Sequence, residues 1–97
     1  MKIKVLGAHN CQSKSTNLTS LLIDGVLALD AGAIATGLSL QAQQRVRAVL
    51  LTHQHYDHLR DIPALAMNFW LRNTQVTVYA IPGVHDALVT HLLNDSI

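Results

Sequence analysis

Val46-Arg47-Ala48-Val49-Leu50-Leu51-Thr52 runs directly into His53-Gln54-His55-Tyr56-Asp57-His58. The first seven residues read as a buried strand, a short apolar run bounded by polar residues. The next six hold three of the six histidines in the chain, together with a carboxylate, where that strand should emerge into a loop. Imidazole and carboxylate are ligands for zinc, iron or manganese, and side chains two apart on an extended chain point the same way. His53 and His55 are therefore candidates to chelate one metal. Asp57 continues the alternation, but His58 breaks it, and a helix start nearby would turn these two toward a different point. Two adjacent metals sharing a bridging hydroxide, ~3.5–4 Å apart in such sites, would explain so dense a cluster. Two plainer alternatives stand beside this one, a chance clustering in a polar loop and a purely structural metal. Structural zinc sites are closed by four ligands and are commonly cysteine-rich, and no cysteine is near this stretch.

Upstream of the cluster, residues 2–8 alternate Lys-Ile-Lys-Val and close on Gly7, which predicts a half-exposed strand. Residues 9–17 are polar and predict a loop. Leu18 to Ile23 and Val26 to Leu29 are apolar runs separated by Asp24-Gly25, a strong hairpin signal. The second run ends at Asp30-Ala31-Gly32, a strand passing into a turn. Gly37 to Arg45 has no proline and predicts a short helix. Downstream, Ile62 to Leu71 predicts a helix capped by Asp61, with Pro63 tolerated in its first turn. Gln75 to Ala80 alternates as a strand, Pro82-Gly83 breaks it, and His85 to Asn94 has helical spacing. The predicted order is three strands followed by αβαβα.

Composition sets the outer bounds. Ninety-seven residues, 49% hydrophobic and 13% charged, suit one small folded domain or part of a larger one. A net charge of +1 and seven dispersed basic residues give no support for a dedicated nucleic-acid surface. The single cysteine, Cys11, favours a reducing compartment. Neither a signal peptide nor a bilayer-spanning stretch is evident, so the expected location is cytoplasmic, with no membrane partner. The last predicted helix runs almost to Ile97, and the final residues offer no obvious close to a fold. The expectation is a single, truncated domain over residues 1–97, the front portion of a longer layered α/β unit.

His-x-His-x-Asp-His after an apolar strand resembles the metallo-β-lactamase superfamily. The likeness extends to the first strand ending in Gly7, the hairpin, Leu29-Asp30-Ala31-Gly32, and the helix opened by Asp57-His58-Leu59-Arg60-Asp61-Ile62-Pro63. It implies the N-terminal half of an αββα sandwich, an α/β fold with a mixed sheet and helices on its outer face. Within the superfamily the chain is most similar to the phosphodiesterase-type branch, which includes tRNase Z and class II cyclic-nucleotide phosphodiesterases. His91-Leu92-Leu93-Asn94 resembles the latter. Arg60-Asp61 stands where lactamases and glyoxalase II usually carry Gly-Gly.

The resemblance implies that His53 and His55 hold a first divalent ion and that Asp57 and His58 hold a second. Zinc is the default, with iron or manganese as alternatives. Asp57 would also orient the nucleophilic hydroxide, which makes it the catalytic candidate. Asp30 would steady the site from behind the ligands, or act simply as a turn residue or helix cap. The implied activity is metal-dependent hydrolysis, of a phosphodiester or another small-molecule substrate, by a metal-bridging hydroxide. The alternatives are a non-catalytic metal-binding fragment that needs a missing half, a thiolester or lactam hydrolase, and a di-iron redox protein. The family draws a further histidine, a bridging carboxylate and a last histidine from its second half, beyond the residues present here. His85 and His91 are six apart in a predicted helix and share no face as an i,i+4 pair would, so surface or interface roles suit them. His9 is expected as a solvated loop residue, although its loop could approach substrate. Phe69 and Trp70 are expected in the core, and Tyr56 lines the site. Self-association is a further possibility for a half-domain with exposed apolar surface.

Overall fold

A computed structural model describes residues 1–93. Five strands and five helices follow one another as β1 (Ile3–Gly7), β2 (Ser20–Ile23), β3 (Leu27–Leu29), α1 (Ile34–Gly37), α2 (Leu40–Gln43), β4 (Ala48–Leu50), α3 (Tyr56–Leu59), α4 (Ile62–Leu71), β5 (Thr77–Tyr79) and α5 (Pro82–His91). The strands form one sheet in chain order, β1-β2-β3-β4-β5. β1–β2 and β2–β3 pair antiparallel, whereas β3–β4 and β4–β5 pair parallel. The tight β2–β3 connection uses Asp24 and Gly25, at φ of 53° and 73°. Both lie in the left-handed region that a two-residue hairpin turn demands, and Asp-Gly is the pair best able to adopt it.

Register separates the two faces. Lys4, Leu22, Ala28, Val49 and Val78 align across the five strands on one face. Leu22, Ala28 and Val49 are buried there, in one core cluster with Ile34, Leu65, Phe69, Val84 and Leu88 from the helices. The helices therefore cover this face. The opposite face carries Val5, Leu21, Leu29, Leu50 and Tyr79 in register. It is apolar as well, yet Val5 and Tyr79 are 59% and 55% exposed. Strands apolar on both sides belong in a sheet covered on both faces. These residues build one such layer.

Several boundaries depart from the sequence pattern. The single helix expected over Gly37 to Arg45 is two short helices, α1 and α2. Leu38 is extended, and the Ser39 hydroxyl accepts from the Ala42 amide at 3.1 Å, so α2 starts afresh at a new N-cap. α5 begins at Pro82 rather than His85, because proline in the first helical turn loses no intrahelical bond. Its expected end at Asn94 lies outside the described residues. Asp61 occupies the N-cap position of α4, but its side chain makes no capping bond there. It accepts instead from the amides of Ala35 and Thr36, each at 2.9 Å, and from the Thr36 hydroxyl at 3.1 Å. Phe69 joins the core as expected, whereas Trp70 is 74% exposed. The α4 helix turns its Leu65 and Phe69 inward, and Trp70, one residue on, cannot share that face.

Candidate metal centre

The site forms where the parallel strands β3 and β4 end. Asp30 follows β3 with φ of 62°, a left-handed conformation that aspartate tolerates better than most residues. Its backbone is fixed on both sides. The Asp30 amide donates to the Leu50 carbonyl at 2.8 Å, and the buried Ser20 hydroxyl donates to the Asp30 carbonyl at 2.9 Å. The carboxylate then meets three donors. The Thr52 amide reaches Oδ1 at 2.9 Å, while the Thr52 hydroxyl and His58 Nδ1 reach Oδ2 at 2.7 and 2.9 Å. The Ala31 amide donates to the His58 carbonyl at 2.7 Å, tying the same turn to α3. Gly32 completes that junction, since a Cβ there would run into the Asp57 carbonyl and the Leu18 side chain.

This scaffold decides how His58 can react. A carboxylate accepts, so the Asp30 contact puts the imidazole proton on Nδ1 and leaves the Nε2 lone pair available. A carboxylate behind the ring is the usual way to orient a metal-ligating histidine. His58 Nε2 lies 3.5 Å from Asp57 Oδ2. Two donors on one tetrahedral ion stand about 3.3 Å apart, given metal–ligand bonds of about 2.0–2.1 Å. His58 and Asp57 therefore already have the bite of a metal-binding pair.

His53 and His55 form the other pair. Their rings meet edge to face with centroids 4.1 Å apart, and His53 Nε2 contacts His55 Nδ1 at 2.7 Å. That contact is a hydrogen bond, shorter than the spacing of two donors on one tetrahedral ion. The His53 and His58 centroids are 4.9 Å apart, so the two pairs adjoin. Among the described residues, no three His, Cys, Asp or Glu side chains converge as a finished metal cage. The four ligand-type residues offer the nitrogen and oxygen donors that divalent metals take, and no sulfur.

Beside them opens a cavity of about 630 Å³, lined by Asn10, Cys11 and Gln12 from the first loop and by His55, Tyr56, Asp57 and Arg60. Arg60 Nη1 donates to Gln12 Oε1 at 2.9 Å, and Gln12 Nε2 donates to Asn17 Oδ1 at 2.7 Å. These bonds pin the polar loop against α3. The loop thus does border the site, but through Asn10 to Gln12 rather than through His9. His85 and His91 are exposed on α5, where His85 contacts Asp86. Thr52 and Arg60 were not singled out from sequence as site-building residues. Arg60 left one trace, as half of the Arg60-Asp61 pair that departs from the Gly-Gly expected of lactamases and glyoxalase II. Thr52 left none, because its partner Asp30 lies 22 residues away.

A mixed sheet with helices on one face and a histidine–aspartate cluster at the ends of its parallel strands defines a metallo-β-lactamase-type α/β layer. Residues 19–96 match the family model described as a beta-lactamase superfamily domain, and the chain belongs to that superfamily. Among solved structures it is similar to the metallo-beta-lactamase fold protein YhfI from Bacillus subtilis, with a TM-score of 0.65 and 19% identity. That match covers 79% of this chain and 35% of YhfI, so this chain spans about a third of the relative's length. No curated protein matches the chain. Membership of the superfamily suggests a hydrolase in general, and its members commonly bind divalent metals. No helix among the described residues is long and apolar enough to cross a membrane.

Proposed function

We propose that this chain carries the ligand-bearing layer of a metal-dependent hydrolase, with a phosphodiester as its substrate. The observation that supports it most is the Asp30–His58–Asp57 arrangement. A buried carboxylate orients an imidazole whose free nitrogen stands at metal-bite distance from a second carboxylate. Metals bound there would supply Lewis acidity and an activated water. Asp30 and Thr52 hold the His58 ring in place, while Asp57 is positioned by α3 and the Gly32 turn. The cavity beside the ligands is walled by Arg60, Asn10 and Gln12, and the Arg60 guanidinium offers a charged donor to an anionic ester there. Arg60 in place of a glycine favours phosphodiester over thiolester or lactam. Two zinc ions are the proposed cofactors, and the single exposed Cys11 agrees with a reducing, cytoplasmic location. His55→Ala should abolish most zinc binding and most hydrolysis of bis(p-nitrophenyl) phosphate. Unchanged metal content in that variant would contradict the proposal.

One observation favours a second proposal, that these residues bind metal but do not turn over alone. Each pair supplies two protein ligands, whereas catalytic zinc sites typically keep three. The exposed apolar face of the sheet would then seat further polypeptide, from another copy or a complementing segment. Zinc stoichiometry measured together with molecular mass separates the two. A monomer that binds two ions tightly and hydrolyses the ester supports the first proposal, and a metal-poor associating chain supports the second.

A further inference from the structure

The opposite end of the sheet holds a site of different chemistry. Val26, Arg47 and Val76 precede β3, β4 and β5, and these three strands run parallel, so their amino ends open together, away from the histidine cluster. A cavity of about 720 Å³ lies there, within the range of about 300–1,000 Å³ typical of small-molecule sites. Val46 and Phe69 give it an apolar floor, and Arg45 and Arg47 line it with no carboxylate among the lining residues. Among the described residues neither guanidinium takes part in an ion pair. The cavity continues into a second, of about 410 Å³, which shares Phe69, Asn73, Thr74 and Gln75 and is walled by Trp70.

Gln44 adds the most specific signal. Its Oε1 accepts from the Thr74 hydroxyl at 2.7 Å, while its Nε2 is buried without a partner. A buried donor left unpaired is costly, and turning the Gln44 amide toward the cavity would let a ligand acceptor satisfy it. Arginine pairs recognise phosphate through their planar forks. The amides of Gln44, Asn73 and Gln75 offer both donors and acceptors, as the edge of a heterocyclic base requires. Exposed Trp70 offers a face on which such a base could stack.

We propose that this cavity binds a nucleoside monophosphate, its phosphate on Arg45 and Arg47 and its base against the amides and Trp70. The site stands apart from the metal ligands and does not depend on the hydrolytic proposal. The test titrates adenosine 5′-monophosphate into the complete chain, following amide shifts by NMR together with fluorescence of Trp70, the only tryptophan. Saturable shifts confined to residues 26, 44–47, 69–70 and 73–76 are expected, together with a change in Trp70 fluorescence. Adenosine and inorganic phosphate, each lacking half of the ligand, should bind at least about tenfold more weakly. The doubly substituted Arg45→Gln, Arg47→Gln chain should lose about tenfold or more in affinity, the equivalent of about 1.4 kcal/mol. Both arginines are exposed, so the fold should persist, and the amide spectrum verifies it. No saturable shifts at millimolar nucleotide would overturn the proposal. Equally, binding that survives loss of both arginines, or shifts centred on residues 53–58, would overturn it.

Discussion

Asp30 and Asp61 look alike by every simple measure. They are buried to 5% and 3% exposure, and each carboxylate accepts from three donors. They differ in what lies behind the donors. The donors to one oxygen of Asp61 are the backbone and hydroxyl of residues 35 and 36, and its other oxygen lies 3.7 Å from the Arg60 guanidinium, so its charge holds α1 and pairs with an arginine. One donor to Asp30 is an imidazole whose far nitrogen faces another carboxylate, so its effect passes through the ring to the point where metal is proposed to bind. Burial and hydrogen-bond count do not separate the two carboxylates. The chemistry on the other side of each partner does.

Substitution should pull the two apart. Asp61→Ala leaves three donors without their acceptor and should lower the unfolding free energy by about 3 kcal/mol. The shift of the urea midpoint reads that loss, and zinc affinity of the folded chain should stay near its original value. A zinc affinity that fell as far as it does in the Asp30 variant would erase the distinction. Asp30→Asn keeps size and most hydrogen bonding but removes the charge behind His58. Zinc affinity should then drop about 10- to 100-fold, measured by competition with a chromophoric chelator, with only a modest change in stability. Ser20→Ala provides the finest division. Its hydroxyl touches the Asp30 carbonyl rather than the carboxylate, so about 1 kcal/mol of stability should go while zinc affinity barely moves. A large loss of metal there would mean that the left-handed backbone at Asp30, and not its charge, sets the site.

Local patterns in the sequence carried much of this architecture. Asp24-Gly25 announced the hairpin, and Ile62 to Leu71 announced α4 to the residue, because turn chemistry and helical spacing are written locally. The dense histidine–aspartate motif likewise marked the cluster without any partner being known. Long-range choices were not legible. Asp61 sits at a sound N-cap position, yet its carboxylate turns to a helix 25 residues earlier, where backbone amides were otherwise unsatisfied. Trp70 carries a core-type side chain on the wrong side of α4. Thr52 and Gln12 look like ordinary loop residues until the sheet and α3 bring Asp30 and Arg60 against them.

His53, His55, Asp57 and His58 are proposed to hold divalent metal with nitrogen and oxygen donors alone. X-ray absorption spectroscopy at the zinc edge on the zinc-loaded chain tests it most directly. A first shell of light donors near 2.0–2.1 Å, with outer-shell imidazole scattering that weakens in His53→Ala and His55→Ala, is the expected result. A sulfur shell near 2.3 Å, which could come only from Cys11 or a methionine, would contradict this ligand set, as would imidazole scattering unchanged in both variants.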